Sequence, residues 1–417
     1  MTGIFETAPV AVVIDRIARQ DGGRLLSSLV GSLRDFQLAE DSFQDALESA
    51  LVHWNRNGLP VSPNAWLMQV ARRKAIDRLR RSANFHAKSA EIAHLIEMEN
   101  QSATDEPDPI GDERLKLIFA CCHPALDKKT CVALTLRSVC GLKTEEIADA
   151  YLDGHDAMAQ RLVRARHKIA KAGIAYEVPG PEGWAARLES VLAVVYLIFN
   201  EGYASGGDSH IRAELCEEAI RLGRLLNDLR PNEPEIEGLL ALMLLHHARR
   251  VARLGAEGEL QTLEGQDRSL WDKSLIEEGL ALIERALQRG CPGLYQLQAA
   301  IIAVHAEAPS FAETDWRQIV WLYSELSRRA SNPVYELNRI AAVSYADGPE
   351  TALACLKPIA MALMQYQPFH AVQADLLARA GRSDEAKLAY RRAIELSQSD
   401  VERRFLAGRL EMLSAPE

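Results

Sequence analysis

The residues best equipped for chemistry in this chain are cations, and the chemistry they suit is the binding of a polyanion. Arg72, Arg73, Lys74, Arg80 and Arg81 crowd the second half of the stretch Pro63–Arg81, with Asp77 to offset them. A second set, Gln160, Arg161, Arg164, His167, Lys168 and Lys171, lies in Ala157–Ala175, which contains no acidic residue. Long arginine and lysine side chains hold phosphates, while Gln160 and Arg161, near the start of their helix, could reach base edges. A solvated basic face is the plain alternative for each set. The remaining reactive groups promise less. Cys121-Cys122-His123-Pro124, with Cys131 and Cys140, has the ligand types zinc takes. Adjacent cysteines cannot easily point at one ion, and no C-x-x-C pair occurs, so small buried residues are the expectation. His246 and His247 diverge on a helix. No nucleophile elbow, phosphate-binding glycine loop or H-E-x-x-H is present. No catalytic residue, metal or cofactor is therefore expected.

These residues need helices to position them. After Pro63 and Asn64, seventeen residues pass without Gly or Pro. Leu67, Ala71, Ala75 and Leu79 form an i, i+4 row that Ile76 widens into a buried stripe, with Trp66 and Val70 on the other side. The preceding segment, Asp41–Asn55, places Phe43, Ala46, Leu47, Ala50, Leu51 and Trp54 at helical spacing. Its outer face is expected to carry Glu40, Asp41, Asp45 and Glu48; capping of the helix start is the plain reading of the first two. Asp15–Phe36 reads as helix, with Gly22-Gly23 a candidate break. Further on, Leu115–Cys122, Lys129–Cys140, a segment Glu145–Leu152 capped by Thr144, and a last helix capped by Asp156 and running to about Lys171 make a compact helical group. Met158, Leu162, Ala165 and Ile169 share one face of that last helix and the cations the other. This is the pattern of a helix-turn-helix whose second helix enters a major groove.

The 417 residues leave room for two to four domains, and a 48% hydrophobic content is ordinary for globular protein. The net charge of −10 argues against indiscriminate coating of nucleic acid. Residues 1–176 hold about as many cations as anions, so the negative excess falls on the remainder. The N-terminus has no basic start of the secretory kind. The greasiest runs, Val191–Phe199 and Leu239–Leu245, are far short of the roughly 20 residues that span a bilayer. Seven scattered cysteines suit reduced thiols and a cytoplasmic location.

Leu38-Ala39-Glu40-Asp41-Ser42-Phe43-Gln44-Asp45-Ala46, followed by Pro63-Asn64-Ala65-Trp66-Leu67 and Asp77-Arg78-Leu79-Arg80-Arg81, resembles region 2 of the extracytoplasmic-function class of bacterial sigma factors. Gly141-Leu142-x-Thr144-x-Glu146-Ile147-Ala148, followed by Arg161-Leu162-x-Arg164-Ala165-Arg166, resembles region 4, although Asp153–Met158 departs from its usual turn. Between them, 83–112 reads as an acidic linker ending in Asp105-Glu106-Pro107-Asp108-Pro109. The resemblance implies an all-α protein that works with core RNA polymerase on promoter DNA. Glu40, Asp41, Gln44 and Asp45 would dock on the polymerase clamp. Arg56, Asn64, Trp66, Arg72, Arg73, Lys74, Arg80 and Arg81 would engage the −10 element, and Gln160, Arg161, Arg164, His167, Lys168 and Lys171 the −35 element. Trp54 and Trp66 could stack on bases, although a core role is expected for each.

From 177 the chain reads as a procession of helix pairs. The best tetratricopeptide-type match is Ala374-x-x-Leu377, Gly381, Ala386, Tyr390 and Ala393. The Cys-Cys-His-Pro-Ala-Leu segment, Tyr196–Tyr203 and Gln266-Asp267-Arg268 with Trp271 resemble subgroup 42 of these sigma factors, which carries a long C-terminal extension with such repeats. The expected organisation is region 2 at 1–85, linker at 86–112, region 4 at 113–176 and a regulatory helical-repeat extension at 177–417, open to a regulatory protein or ligand. Glu201, Asp267 and Arg268 read as buried ion pairs that lock helix packing. Three alternatives remain: a helix-turn-helix regulator acting without polymerase, a repeat scaffold that merely binds DNA, and an enzyme built on the C-terminal region.

Overall fold

The computed structural model describes residues 9–81, 113–151, 153–204, 210–253, 255, 259–397 and 400–413. The expected linker at 83–112 lies outside them. Among the described residues the fold is all-α, with no β-strand, as the sequence implies. No helix among them is long and apolar enough to cross a membrane. Contacts divide the chain into two compact units, Met1–Glu201 and Gly202–Glu417.

The N-terminal unit begins with α1 (Val10–Gln20) and α2 (Gly22–Leu33), so the helix read over 15–36 is broken at Asp21, beside the two glycines that marked a candidate break. The Asp35 carboxylate accepts from the Leu38 N–H (3.0 Å) and starts α3 (Phe36–Asn57), which ends at Gly58 with φ +81°. Then comes α4 (Pro63–Arg81), whose Leu67, Ala71, Ala75, Ile76 and Leu79 are all buried, as the stripe requires. The next group is α5 (Arg114–Cys121), α6 (Lys128–Ser138), α7 (Thr144–Ala150) and α8 (His155–Lys171). Thr144 does not cap α7. It is the first helical residue, and the Glu146 carboxylate instead accepts from the Lys143 N–H at 2.8 Å. Likewise Gly154, not Asp156, holds the cap position of α8.

The two helical groups are fused by close backbone approach. A Cβ on Gly23 would sit 2.6 Å from the Val139 carbonyl oxygen, and one on Gly141, whose φ is +74°, would sit 2.2 Å from that of Ala18. Only glycine tolerates both demands at 141. Arg19 pairs with Glu146 (2.7 Å), Lys143 pairs with Asp15 (3.1 Å), and the Tyr176 hydroxyl donates to the Ser27 carbonyl (2.8 Å). The unit continues into α9 (Pro181–Ala204): Trp184 meets the Phe119 ring edge-on at 5.3 Å, and Arg187 Nη2 donates to the Phe119 carbonyl at 2.7 Å. It therefore reaches Glu201, beyond the residue at which the extension was expected to start.

In the C-terminal unit, α10 (His210–Leu229) and α11 (Pro234–His247) are followed by two 3₁₀ turns, Arg250–Arg253 and Arg268–Leu270. Then come α12 (Lys273–Gln288), α13 (Leu294–Glu307), α14 (Trp316–Arg329) and α15 (Pro333–Ala346), each packed on its neighbours. Shorter pieces lead to α16 (Gln367–Arg379), α17 (Ser383–Leu396) and α18 (Asp400–Met412). Ala374, Leu377, Ala386, Tyr390 and Ala393 share one buried cluster, and Gly381 turns the chain with φ +75°. Small residues let α16 and α17 approach, and Tyr390 fills the space between them.

Candidate nucleic-acid interface

On α4, the apolar row leaves Arg73, Arg80 and Arg81 exposed, with Arg72 and Lys74 half-buried. Arg56 is exposed on the last turn of α3, which runs two residues past Asn55, where the helical segment was expected to end. Asn64 and Trp66 are half-buried in the first turn of α4. Trp66 stacks on His53 (centroids 5.5 Å, 25°) and meets Trp54 edge-on at 5.3 Å, while Trp54, 1% exposed, is core. Gly58–Ser62, between the helices, turns Leu59 and Val61 out to solvent. Burial of one face by the apolar stripe is what makes the other cationic face available.

On α8, Met158, Leu162, Ala165 and Ile169 are buried. Gln160, Arg164, His167, Lys168 and Lys171 are exposed together on the opposite side. Arg161 is different: its Nη1 lies 2.6 Å from the Asp153 carboxylate, so it braces the turn before its own helix.

Of the acidic residues expected on an outer face of α3, Glu48 is exposed and Asp41 and Asp45 are half-buried, but Glu40 is covered. Glu40 is 3% exposed beneath α8, with Arg166 Nε 3.1 Å from one carboxylate oxygen and Arg137 Nε 3.8 Å from the other. The Arg166 contact lacks hydrogen-bond alignment, so the attraction is chiefly that of charge. Burial pushes the Glu40 carboxyl above its usual range, against the pull of Arg166 and Arg137. Asp41 accepts from Arg78 Nη1 (3.1 Å) and lies 3.8 Å from Arg166 Nη1; Asp45 accepts from Arg78 Nη2 at 2.8 Å. Gln44 borders a cavity of about 290 Å³ between α1, α3 and the end of α6, shared with Glu40, Glu48 and Arg137. The expectation of an exposed Glu40 failed because helical spacing identifies a polar face but not the second helix that covers it. Arg166 and Arg78, which carry these contacts, were not singled out. Their signal was there, in the triplet Arg164-Ala165-Arg166, where one cation faces inward, and in the run Arg78–Arg81, where the exposed Arg78 reaches across to α3.

The cysteines are packing residues. Cys121, Cys122, Cys131 and Cys140 are buried, and burial pushes the Cys122 thiol up to about 12. Among the described residues no group of three or more His, Cys, Asp or Glu is placed to hold a metal ion.

Comparison with known proteins decides what this arrangement belongs to. Residues 17–85 match the family model described as Sigma-70 region 2. The chain belongs to the sigma-70 family. In this sigma-70 family chain the matched stretch takes in α2, α3 and α4, and with them the Glu40–Asp45 face and the cations of α4. Region 2 brings core RNA polymerase and promoter DNA as partners, transcription initiation as the process served, and no enzymatic activity of the family's own. Residues 187–287 match a family of unknown function (DUF6596). An uncharacterized protein of Rhizobium meliloti (strain 1021) is 43% identical over 395 residues, 94% of this chain and 93% of the relative, so the two belong to one family. No solved structure matches the chain.

Proposed function

We propose that the chain is a sigma factor of the extracytoplasmic-function class, of the subgroup with a C-terminal tetratricopeptide-like extension, and that it directs promoter-specific initiation. The observation that carries this reading is the region 2 match, which falls on a helix with acidic residues and a neighbouring helix with an exposed cationic end. Arg73, Arg80 and Arg81, with Arg56 and the residues around Trp66, engage melted −10 DNA. The exposed set Gln160, Arg164, His167, Lys168 and Lys171 holds the −35 box from a region 4 that spans 113–176. Arg161 contributes by fixing the start of α8.

Asp41 and Asp45, with Gln44, dock on the clamp. In the closed N-terminal unit their carboxylates already have arginine partners, and Glu40 is covered. On this reading α3 and α8 part before the polymerase is engaged, and the helical extension sets when they do. In-vitro transcription with core polymerase is the test. The chain should confer initiation at a specific promoter; a protein that binds DNA but neither associates with core polymerase nor starts transcripts would be a helix-turn-helix regulator of another kind.

A further inference from the structure

Two of the residues expected to form buried ion pairs, Asp267 and Arg268, do something else. Asp267 is exposed and accepts from the Ser269 N–H (2.8 Å), while Arg268 Nη1 donates to the carbonyls of His305 (2.6 Å) and Ala308 (2.7 Å). Arg268 belongs to a cluster of three guanidinium groups. The Asp272 N–H donates to the Ala248 carbonyl and the Gln261 N–H to that of Arg253, both at 2.9 Å, tying the segments after α11 together. The guanidinium carbons of Arg249 and Arg268 lie 5.7 and 4.6 Å from the centre of the Trp271 ring. Arg253 stacks over Tyr203 at 3.8 Å and donates to its carbonyl at 2.6 Å.

Among the described residues this cluster has no counter-charge. Arg249 is 7% exposed, and a guanidinium that deep ordinarily has a carboxylate beside it because leaving it unpaired is costly. Among the described residues none lies within ion-pair distance of Arg249, Arg253 or Arg268. The acceptors Arg249 has are the Tyr203 hydroxyl (3.3 Å) and His246 Nδ1 (3.1 Å), both uncharged. Arg249 Nε, Arg268 Nη2 and Trp271 Nε1 are buried with no acceptor among the described residues. Burial and the neighbouring guanidinium charges push His305 down to about 4 and His246 well below its usual value, so neither adds a proton at neutral pH.

The unsatisfied groups named here are donors, and the uncompensated charges are positive. The missing complement is an acceptor-only anion. We propose that this cluster binds an oxyanion, specifically the phosphoryl group of a small molecule. A dianion suits three guanidinium groups better than a single carboxylate does, and planar guanidinium forks match its oxygens. Arg253 and Arg268 are half-buried and make up the solvent side of the cluster; Arg249 and Trp271 are its buried part. Apart from His305, the cluster lies within the 187–287 match to a family of unknown function, to which it assigns a ligand chemistry. The proposal is independent of the polymerase reading, and each can fail alone.

Equilibrium dialysis of the full chain against inorganic phosphate, at ionic strength held constant with chloride, tests it. One phosphate should bind per chain, sulfate should compete, and acetate should bind about tenfold or more weakly. Arg268→Gln, at a half-buried position, should lower phosphate affinity by about tenfold or more. Arg249→Met should do the same and, without phosphate, should leave Tm unchanged or raised, because an uncompensated buried charge has gone. Absence of phosphate binding, unchanged affinity in Arg268→Gln, or acetate binding as tightly as phosphate would each overturn the proposal. If Arg249→Met fails to fold, Arg268→Gln decides alone.

Discussion

The acidic side of α3 and the exposed basic side of α8 carry opposite charges and face opposite circumstances. Glu40, Asp41 and Asp45 are each met by an arginine of the same unit, whereas Arg164, Lys168 and Lys171 stand in solvent with a whole helix face to themselves. The division runs through α8 itself, where Arg166 points in at Glu40 and Arg164, two residues earlier, points out. A charge already paired inside the molecule gives little pull on an outside partner; one that faces water attracts a polyanion at a distance. In this closed arrangement the unit offers the face proposed to bind DNA and withholds the one proposed to dock on polymerase. The order of events in the proposed mechanism follows from that asymmetry.

The largest effect should come from breaking the inward half of α8. Arg166→Met leaves the Glu40 carboxylate buried with only Arg137, 3.8 Å away, and should destabilise the N-terminal unit by about 3 kcal/mol. The double change with Glu40→Gln should recover most of that loss, as denaturant titrations of the four variants would show. A simple sum of the two single effects would mean that the contact at Glu40 does not hold the unit closed.

The outward half should respond without loss of stability. Arg164→Ala with Lys171→Ala removes two exposed cations. DNA affinity should fall, and the slope of log affinity against log salt should flatten by about 1.8 if both hold phosphates. An unchanged slope would take the DNA face away from α8 and leave the two sides of the comparison alike.

The sequence exposes one side of this comparison and conceals the other. An outward face is defined by its own helix, so Met158, Leu162, Ala165 and Ile169 suffice to place Arg164 and Lys171 in solvent. The inward contact joins residues far apart in the chain, Glu40 and Arg166, and no local spacing encodes such a pairing. Gly23 and Gly141 read locally as a helix break and a turn, yet both also serve the close approach of the two helical groups. The same limit applies at Trp271. Arg268 stood out beside it, but Arg249 and Arg253 become its companions only when the end of α11 folds back, and the absence of carboxylates among them is a property of the packed cluster. Helices such as α4 and α8 were legible because burial follows a 3.6-residue period in them, whereas α6 and α11 are buried nearly all round.

A subtler effect concerns pH. The folded-state pKa of Glu40 is raised above its ordinary value of 4.5, so its contribution to stability is fully present below that value and is lost as pH rises through the shifted one. Acidification from neutrality should therefore raise the stability of the unit by relieving the buried charge, even as protonation weakens the attraction between Glu40 and Arg166. Asp15 works in the opposite sense and in another window. Burial raises its carboxyl, but Lys143 and Arg19 outweigh that and hold it below 3.8, so its contribution is lost only as pH falls through the lowered value. Between neutral pH and 4.5, Glu40→Gln should flatten the pH dependence of stability relative to the native chain, as denaturant titrations across that range would show. Identical profiles would mean that Glu40 is no more sensitive to its cover than an exposed carboxylate is.

The smallest structural effect and the sharpest functional one should coincide at Asp45. Its pair with Arg78 is partly exposed, and such pairs contribute about 0–1 kcal/mol, so Asp45→Asn should barely move the unfolding midpoint. If Asp45 only served Arg78, nothing else would change. If it docks on the polymerase, as proposed, the loss of its charge should weaken association with core enzyme while leaving binding to a DNA duplex intact, because the α8 face is untouched. Parallel binding curves for the two partners separate these cases. Equal loss toward both would mean that the substitution acts by loosening the whole unit, and the distinction between an engaged face and a free one would lose its functional meaning.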